Sequence, residues 1–413
     1  MKKLFTRLCL PILSLIILSG CSTFNKAYKL KKQGSFNNSN FLEEIDFDLL
    51  NNLILVDIEI EGNIYTCVFD TGAQLSLLDE EIVNKISHKE KTNIIISGAS
   101  GVKNSFKIVE TPKIRIGNSD FYNLAVIAAD FSPVINRFKC NQKIHGIIGS
   151  NLMRKAKWRI DYQNQKILFS DKLASFDDLE EDILIHLDCG KVGSAYISAS
   201  LDGVEGVYTF DTGKSTKLQS NIKTFNNLIQ NNKDLEFTPS KGVIGITLNG
   251  TQYGSVNYTK INTLKIGALE LNEQIIEIRN DKGTSSLLGN EIWKNYRATI
   301  DWDNCSLYLR PNEKIKPDTL NSFEYSIVNN ESGNQLKLGR KWLDHSSKLN
   351  VSNENKIISI EGINLSKMST TDFCNFINNE LPDYKKKDTL SIVLLNDKKE
   401  EKIILTKERL LPK

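Results

Sequence analysis

Apolar and polar positions alternate along most of this chain with the short period of strands. Residues 53–60 run apolar and then alternate, Glu61-Gly62-Asn63 interrupts, and 64–69 return apolar up to Asp70, which predicts a hairpin ending on a carboxylate. Strand-like runs at 93–96 and 106–109 flank a small tip, Ser97-Gly98-Ala99-Ser100-Gly101-Val102, predicting a second hairpin whose end can move. Further strands are expected at 113–116 and 123–128, followed by an apolar stretch, 145–153, broken at Gly149. Residues 158–162 and 166–169 pair across 163–165, a hairpin expected to close a first lobe.

After an acidic, polar linker at 171–182 the same order recurs. Strands are predicted at 195–201 and 206–210 around Asp202-Gly203, and the second of them runs into Asp211. A hairpin over 242–248 turns at Asn249-Gly250, and apolar segments at 286–293, 298–302 and 306–309 follow. The spacing keeps step: 141 positions separate Asp70 from Asp211 (211 − 70), and 140 separate both Gly149 from Gly289 and Asp161 from Asp301. Three landmarks in register indicate duplication, hence two homologous lobes. From about residue 322 the pattern changes. Strands are expected at 323–328, 355–362, 389–395 and 402–405, with a short helix over 370–381 that turns Phe373, Phe376 and Ile377 to one side.

The start reads differently. Lys2, Lys3 and Arg7 precede an apolar run at 8–18, too short for a comfortable membrane span. Leu18-Ser19-Gly20-Cys21 resembles the lipobox of bacterial lipoproteins, which implies cleavage before Cys21, lipid on its thiol and a place in the cell envelope, periplasmic or at the surface. Residues 21–45 then read as a polar tether. Lys plus Arg number 53 against 50 Asp plus Glu, and no basic stripe with aromatics is present, so nucleic acid is not expected as a partner. Once Cys9 leaves with the signal and Cys21 carries lipid, Cys67, Cys140, Cys189, Cys305 and Cys374 remain. An odd count leaves at least one free, and buried free thiols are the preferred expectation. With four histidines and no Cys-x-x-Cys pair, neither a metal site nor a Cys–His nucleophile is expected.

The chemistry gathers at Phe69-Asp70-Thr71-Gly72-Ala73 and its echo Phe210-Asp211-Thr212-Gly213-Lys214. Two carboxylates sharing one proton can activate water on one side and polarise a carbonyl on the other. Each lobe is expected to present one of them, Asp70 and Asp211, at a loop tip facing the shared boundary. Gly72 and Gly213 allow the tight turn, and the Thr71 and Thr212 hydroxyls can lock the two loops together. These motifs, with Ile147-Ile148-Gly149-Ser150-Asn151-Leu152 and its repeat Leu287-Leu288-Gly289-Asn290, resemble the retropepsin-like aspartic proteases over about residues 46–311.

The resemblance implies a mainly β fold: two homologous closed β lobes forming a pepsin-like bilobal unit, at 46–175 and 183–311. It further implies an endopeptidase acting on polypeptide held extended under hairpin flaps, here around Gly98, Gly101, Asn249 and Gly250. No cofactor is implied, and with both lobes in one chain the protein is expected to be a monomer. One position departs: the family usually has Ala, Ser or Thr where Lys214 stands. Near the dyad its ammonium would favour ionised Asp; snorkelled to solvent it would do little. The competing reading is therefore a non-catalytic peptide-binding lipoprotein with a degenerate cleft. A carbohydrate hydrolase fits less well, since its carboxylate pair does not require duplicated Asp-Thr-Gly loops. Residues 320–413 resemble a PDZ domain, Ile357 to Gly362 matching its Ile-x-x-Ile-Asn-Gly stretch without the usual Gly-Asp before it. That resemblance implies either a peptide ligand added as a strand or a structural cap on the second lobe.

Overall fold

A computed structural model describes residues 27–36, 38–97, 103–138, 140, 143–190, 192–248, 250–280, 284–347, 349, 351–352, 355–396 and 399–411. The chain is mainly β, as the alternation predicts, and its strands form sheets of nine, six and fourteen. Cys21, Gly98, Gly101 and Asn249 lie outside the described residues.

The two halves repeat one local design. Leu53–Ile60 pairs with Asn63–Phe69, and Gly146–Ile148 lies parallel to the end of that second strand while pairing antiparallel with Leu77 and Leu78. In the second half Tyr196–Leu201 pairs with Val204–Asp211, and Leu287–Gly289 takes the parallel place, antiparallel to Leu218 and Gln219. The apolar-apolar-Gly segment thus passes behind each Asp loop. Gly149 is confined by the backbone of Leu75, 2.7 Å from where a Cβ would stand, and Gly289 by the carbonyl of Thr216 at 2.0 Å. No larger residue fits either crossing.

Four expectations change. The hairpin at 158–162 and 166–169 forms, but it does not close a first lobe: Lys157–Asp161 pairs with Tyr296–Asp301, building a six-stranded sheet shared by both halves. A hairpin with two apolar faces can be covered from either side, and sequence alone does not say by what. The stretch read as a tether is partly ordered. Leu42–Asp46 joins that shared sheet, and Ser35–Phe36 pairs with Phe121 and Tyr122. Phe36 stacks on Phe121 at 4.7 Å and Phe41 packs edge-on to Phe169 at 5.8 Å, isolated aromatic anchors that leave no periodic trace. The strands expected apart at 106–109 and 113–116 are one, Lys103–Ile116. Finally, four of the five cysteines pair, Cys189 with Cys305 and Cys140 with Cys374, leaving Cys67 free and buried. Separations of 116 and 234 residues put both pairings beyond any local pattern.

One apolar core runs through both halves, including Phe69, Trp158, Phe210 and Trp293. The two indoles are held alike, Trp158 donating to the Met153 carbonyl at 2.6 Å and Trp293 to that of Leu288 at 3.0 Å. The C-terminal residues carry their own core, built from Tyr325, Leu338, Ile360, Phe376 and Leu405 among others. Their strand Leu336–Trp342, not foreseen from sequence, pairs with Ser240 and Lys241 and makes their sheet continuous with that of the second half.

Candidate active site

Each Asp loop begins where a strand leaves the core. The Asp70 N–H donates to the Ile148 carbonyl at 2.9 Å, fixing the exit of the first strand. Beyond it, the Gly72 and Ala73 N–H groups donate to Asp70 Oδ1 at 2.7 and 3.1 Å. Asp211 accepts from Gly213 N–H at 2.9 Å. The loops meet through a reciprocal set of bonds. Thr71 N–H donates to Thr212 Oγ1 and Thr212 N–H to Thr71 Oγ1, both at 3.0 Å. The hydroxyls in turn donate to the carbonyls of Phe210 and Phe69, each at 2.7 Å. Both threonines are fully buried, so these bonds are formed away from competing water.

The glycines decide how closely the carboxylates approach. A Cβ on Gly72 would lie 2.7 Å from Asp211 Cγ, and one on Gly213 would lie 2.3 Å from Asp70 Cγ. Each carboxylate therefore rests against the opposite loop's glycine, and each influences the other's titration. Burial raises the Asp70 carboxyl, while the N–H groups of Ala73 and Gly72 pull against it. For Asp211, burial and then the Asp70 charge raise the carboxyl well above the usual range, and Lys214 does not overcome them. Burial thus raises both carboxyls, Asp211 the further of the two, while Asp70 is the one that accepts from two backbone N–H groups.

Lys214 lies close enough to pull the Asp211 carboxyl down, the course expected near the dyad, but too weakly to offset burial and the Asp70 charge. Its side chain is only 10% exposed, and its Nζ lies 3.2 Å from Gln219 Oε1 and 3.8 Å from Glu277 Oε2. It is tied to a second carboxylate and forms no salt bridge with Asp211 among the described residues. Burial is the main influence lowering its own ammonium below the ordinary lysine value. Sequence reading missed this partner set, as it missed Ser194, whose hydroxyl donates to the Gly72 carbonyl at 2.7 Å. Aligning the second half's strands on the first would have placed Glu277 near the motif; Ser194 carries no such signal.

Of the flap positions, Gly250 is described. It sits at φ +91° with open space around it, at the turn joining Phe237–Thr247 to Gly250–Ile266. This hairpin is anchored beyond its tip. Arg137 of the first half donates to Thr251 at 2.5 Å, and Thr251 and Tyr253 donate to Glu331 of the C-terminal part at 3.3 and 3.1 Å. Burial alone would raise the Glu331 carboxyl, but Lys337, its own backbone N–H and Tyr253 outweigh it and bring it down to about 2. Leu248 packs on an apolar cluster of the first half that also receives Ile94 and Phe106 from the hairpin Lys89–Ser97 and Lys103–Ile116. Among the described residues no group of three or more His, Cys, Asp or Glu side chains is disposed to hold a metal ion.

A family model described as aspartyl protease matches residues 56–152. The match takes in Asp70 and the Gly149 segment, and this part of the chain is of aspartic-protease type. No curated protein matches the chain.

Proposed function

We propose that the protein is an endopeptidase in which Asp70 and Asp211 act as one dyad. Asp70, ionised, takes a proton from a water held between the two carboxyls. The resulting hydroxide adds to the peptide carbonyl carbon while Asp211 donates its proton to the carbonyl oxygen. Collapse of the tetrahedral adduct returns that proton to Asp211, Asp70 protonates the departing amide nitrogen, and the peptide bond breaks. The observation that carries the reading is the close, reciprocal approach of Asp70 and Asp211 across the threonine-locked loops. Lys214, the residue that spoke for a degenerate cleft, is occupied with Glu277.

The two halves serve as the lobes of a bilobal unit, and the chain works as a monomer because one molecule supplies both carboxyls. Residues 320–413 form a PDZ-like domain that acts as a cap. Supporting this is the way its strand extends the second half's sheet while its helix Thr370–Asn375 is tied by Cys374 to Cys140. Cys21 carries a lipid that holds the enzyme at the cell envelope; incorporation of labelled palmitate, lost in Cys21→Ser, tests that part. The catalytic reading is tested by peptide-library cleavage with wild type, Asp70→Asn and Asp211→Asn. Both substitutions are expected to reduce cleavage at least about 1,000-fold, in line with loss of a group that acts as one unit with its partner. Equal cleavage by all three proteins would sink the dyad.

A further inference from the structure

The two halves match in backbone and differ sharply in what they present beside their carboxyls. Sheet register gives the correspondence. In the first half Leu77 pairs with Ile127 and Asp79 with Ala129; in the second Gln219 pairs with Glu277 and Asn221 with Arg279. Directly after the glycines, Ala73 faces Lys214 in the same comparison. Small and apolar side chains in one half are thus replaced by Lys214, Gln219, Glu277 and Arg279 in the other.

The surroundings follow suit. Leu77, Ile127 and Ala129 belong to the apolar cluster beneath the first hairpin. The second-half group lies beneath the second hairpin: Arg279 bonds both to Glu277 and to the Ile244 carbonyl. A further cation arrives from the C-terminal part, where Arg340 reaches the Val243 carbonyl at 3.3 Å and the Tyr258 hydroxyl. Three cations therefore surround one carboxylate. Glu277 is already matched by Lys214 and Arg279, whereas Arg340 is bonded to neutral oxygens and enters no ion pair among the described residues. The side chains of Lys214, Glu277 and Arg279 are 10%, 8% and 11% exposed and Arg340 is half-buried, so the charges of this group act on one another through little solvent.

We infer that this second-half group of charges receives an acidic side chain of the substrate, while the apolar first-half cluster receives an aliphatic or aromatic one on the other side of the scissile bond. The inference rests on the peptidase reading above and deepens it by naming the substrate class. Its physical basis is charge balance: a substrate carboxylate supplies the counter-charge that Arg340 lacks, through hydrogen bonds assisted by charge on both partners. A neutral residue would leave Arg340, half-buried, without that counter-charge. The C-terminal part is then more than a brace, since it contributes a specificity-determining residue to the cleft.

The test uses the full-length protein and peptide pairs that differ only by Glu or Gln, placed on either side of the scissile bond, at a pH where the free Glu is ionised. Wild type is expected to show at least about a tenfold higher kcat/KM for Glu over Gln on one side only. Arg340→Gln should bring that ratio close to one, mainly through KM, and Glu277→Gln should increase it by removing the competing anion. A ratio near one on both sides in wild type overturns the inference and leaves the peptidase reading standing. Should no peptide be cleaved, the same pairs as reduced-bond analogues are titrated calorimetrically. Tighter binding of the Glu analogue by about tenfold then supports the inference without the chemistry. Equal affinity, or no binding of either, overturns it.

Discussion

At the scale of single residues, the proposed site depends on two buried carboxyls that are costly to ionise together. Asp211 has its carboxyl raised well above the ordinary value, by burial first and by the Asp70 charge second. As pH rises past the ordinary carboxylate range the unfolded chain releases this proton before the native one does. Native stability therefore falls with rising pH through that window, and below it the group contributes nothing. Asp211→Asn should consequently raise the urea midpoint at pH 7.5 and leave it nearly unchanged at pH 3, with the same m-value. Gly213 sets a steric limit, its missing Cβ lying 2.3 Å from Asp70 Cγ. Gly213→Ala must displace the Asp70 carboxylate, and cleavage is expected to fall by about 100-fold or more while circular dichroism stays native. Both positions stand out in the sequence, because the proposed dyad requires Asp at a tight turn. The partner of Lys214 was not: Glu277 lies 63 positions away (277 − 214) in a strand whose alternation looks ordinary.

At the scale of elements, the two Asp loops form one unit through the threonines. Thr212→Val keeps the shape and removes the acceptor for Thr71 N–H and the donor to the Phe69 carbonyl. Leaving two buried polar groups without partners is expected to cost about 2–4 kcal/mol in urea unfolding. Thr71→Val should cost a similar amount, and the double variant less than the sum, because the bonds belong to one network. The hairpins, the strands entering each Asp and the helix near 370 were foreseen from period and turn residues. The helix Ile222–Asn231 was not read from the sequence, although Asn221 caps it by accepting from Thr224 N–H at 3.1 Å. Its buried face, Thr224, Phe225 and Leu228, is too sparse to stand out among polar neighbours.

For the whole molecule, the connection between its parts is the main result of folding. The shared six-stranded sheet joins the halves, and the C-terminal part is joined to the second half by strand pairing and to the first by Cys140–Cys374. That disulfide closes a loop of 234 residues, so Cys374→Ser is expected to lower stability by about 2–5 kcal/mol. It should also speed proteolysis between residues 312 and 320; an unchanged digestion rate would show that strand pairing alone suffices. Here the sequence was informative about repetition and silent about assembly. A duplicated pattern is written in local order, twice, whereas the covering of the 158–169 hairpin depends on strands more than a hundred residues distant.

What this chain's residues determined on their own is the mainly β character, the duplication and the two Asp-Thr-Gly loops, because turn chemistry and alternation act over a few neighbouring positions. Tertiary structure decided the rest. It brought Gly72 against Asp211 and Gly213 against Asp70, paired four cysteines, turned Lys214 toward Glu277 and carried Arg340 from a distant strand to the second hairpin. Each of these is a contact between groups whose separation along the chain leaves no local trace, and only a packed core fixes the distance between them.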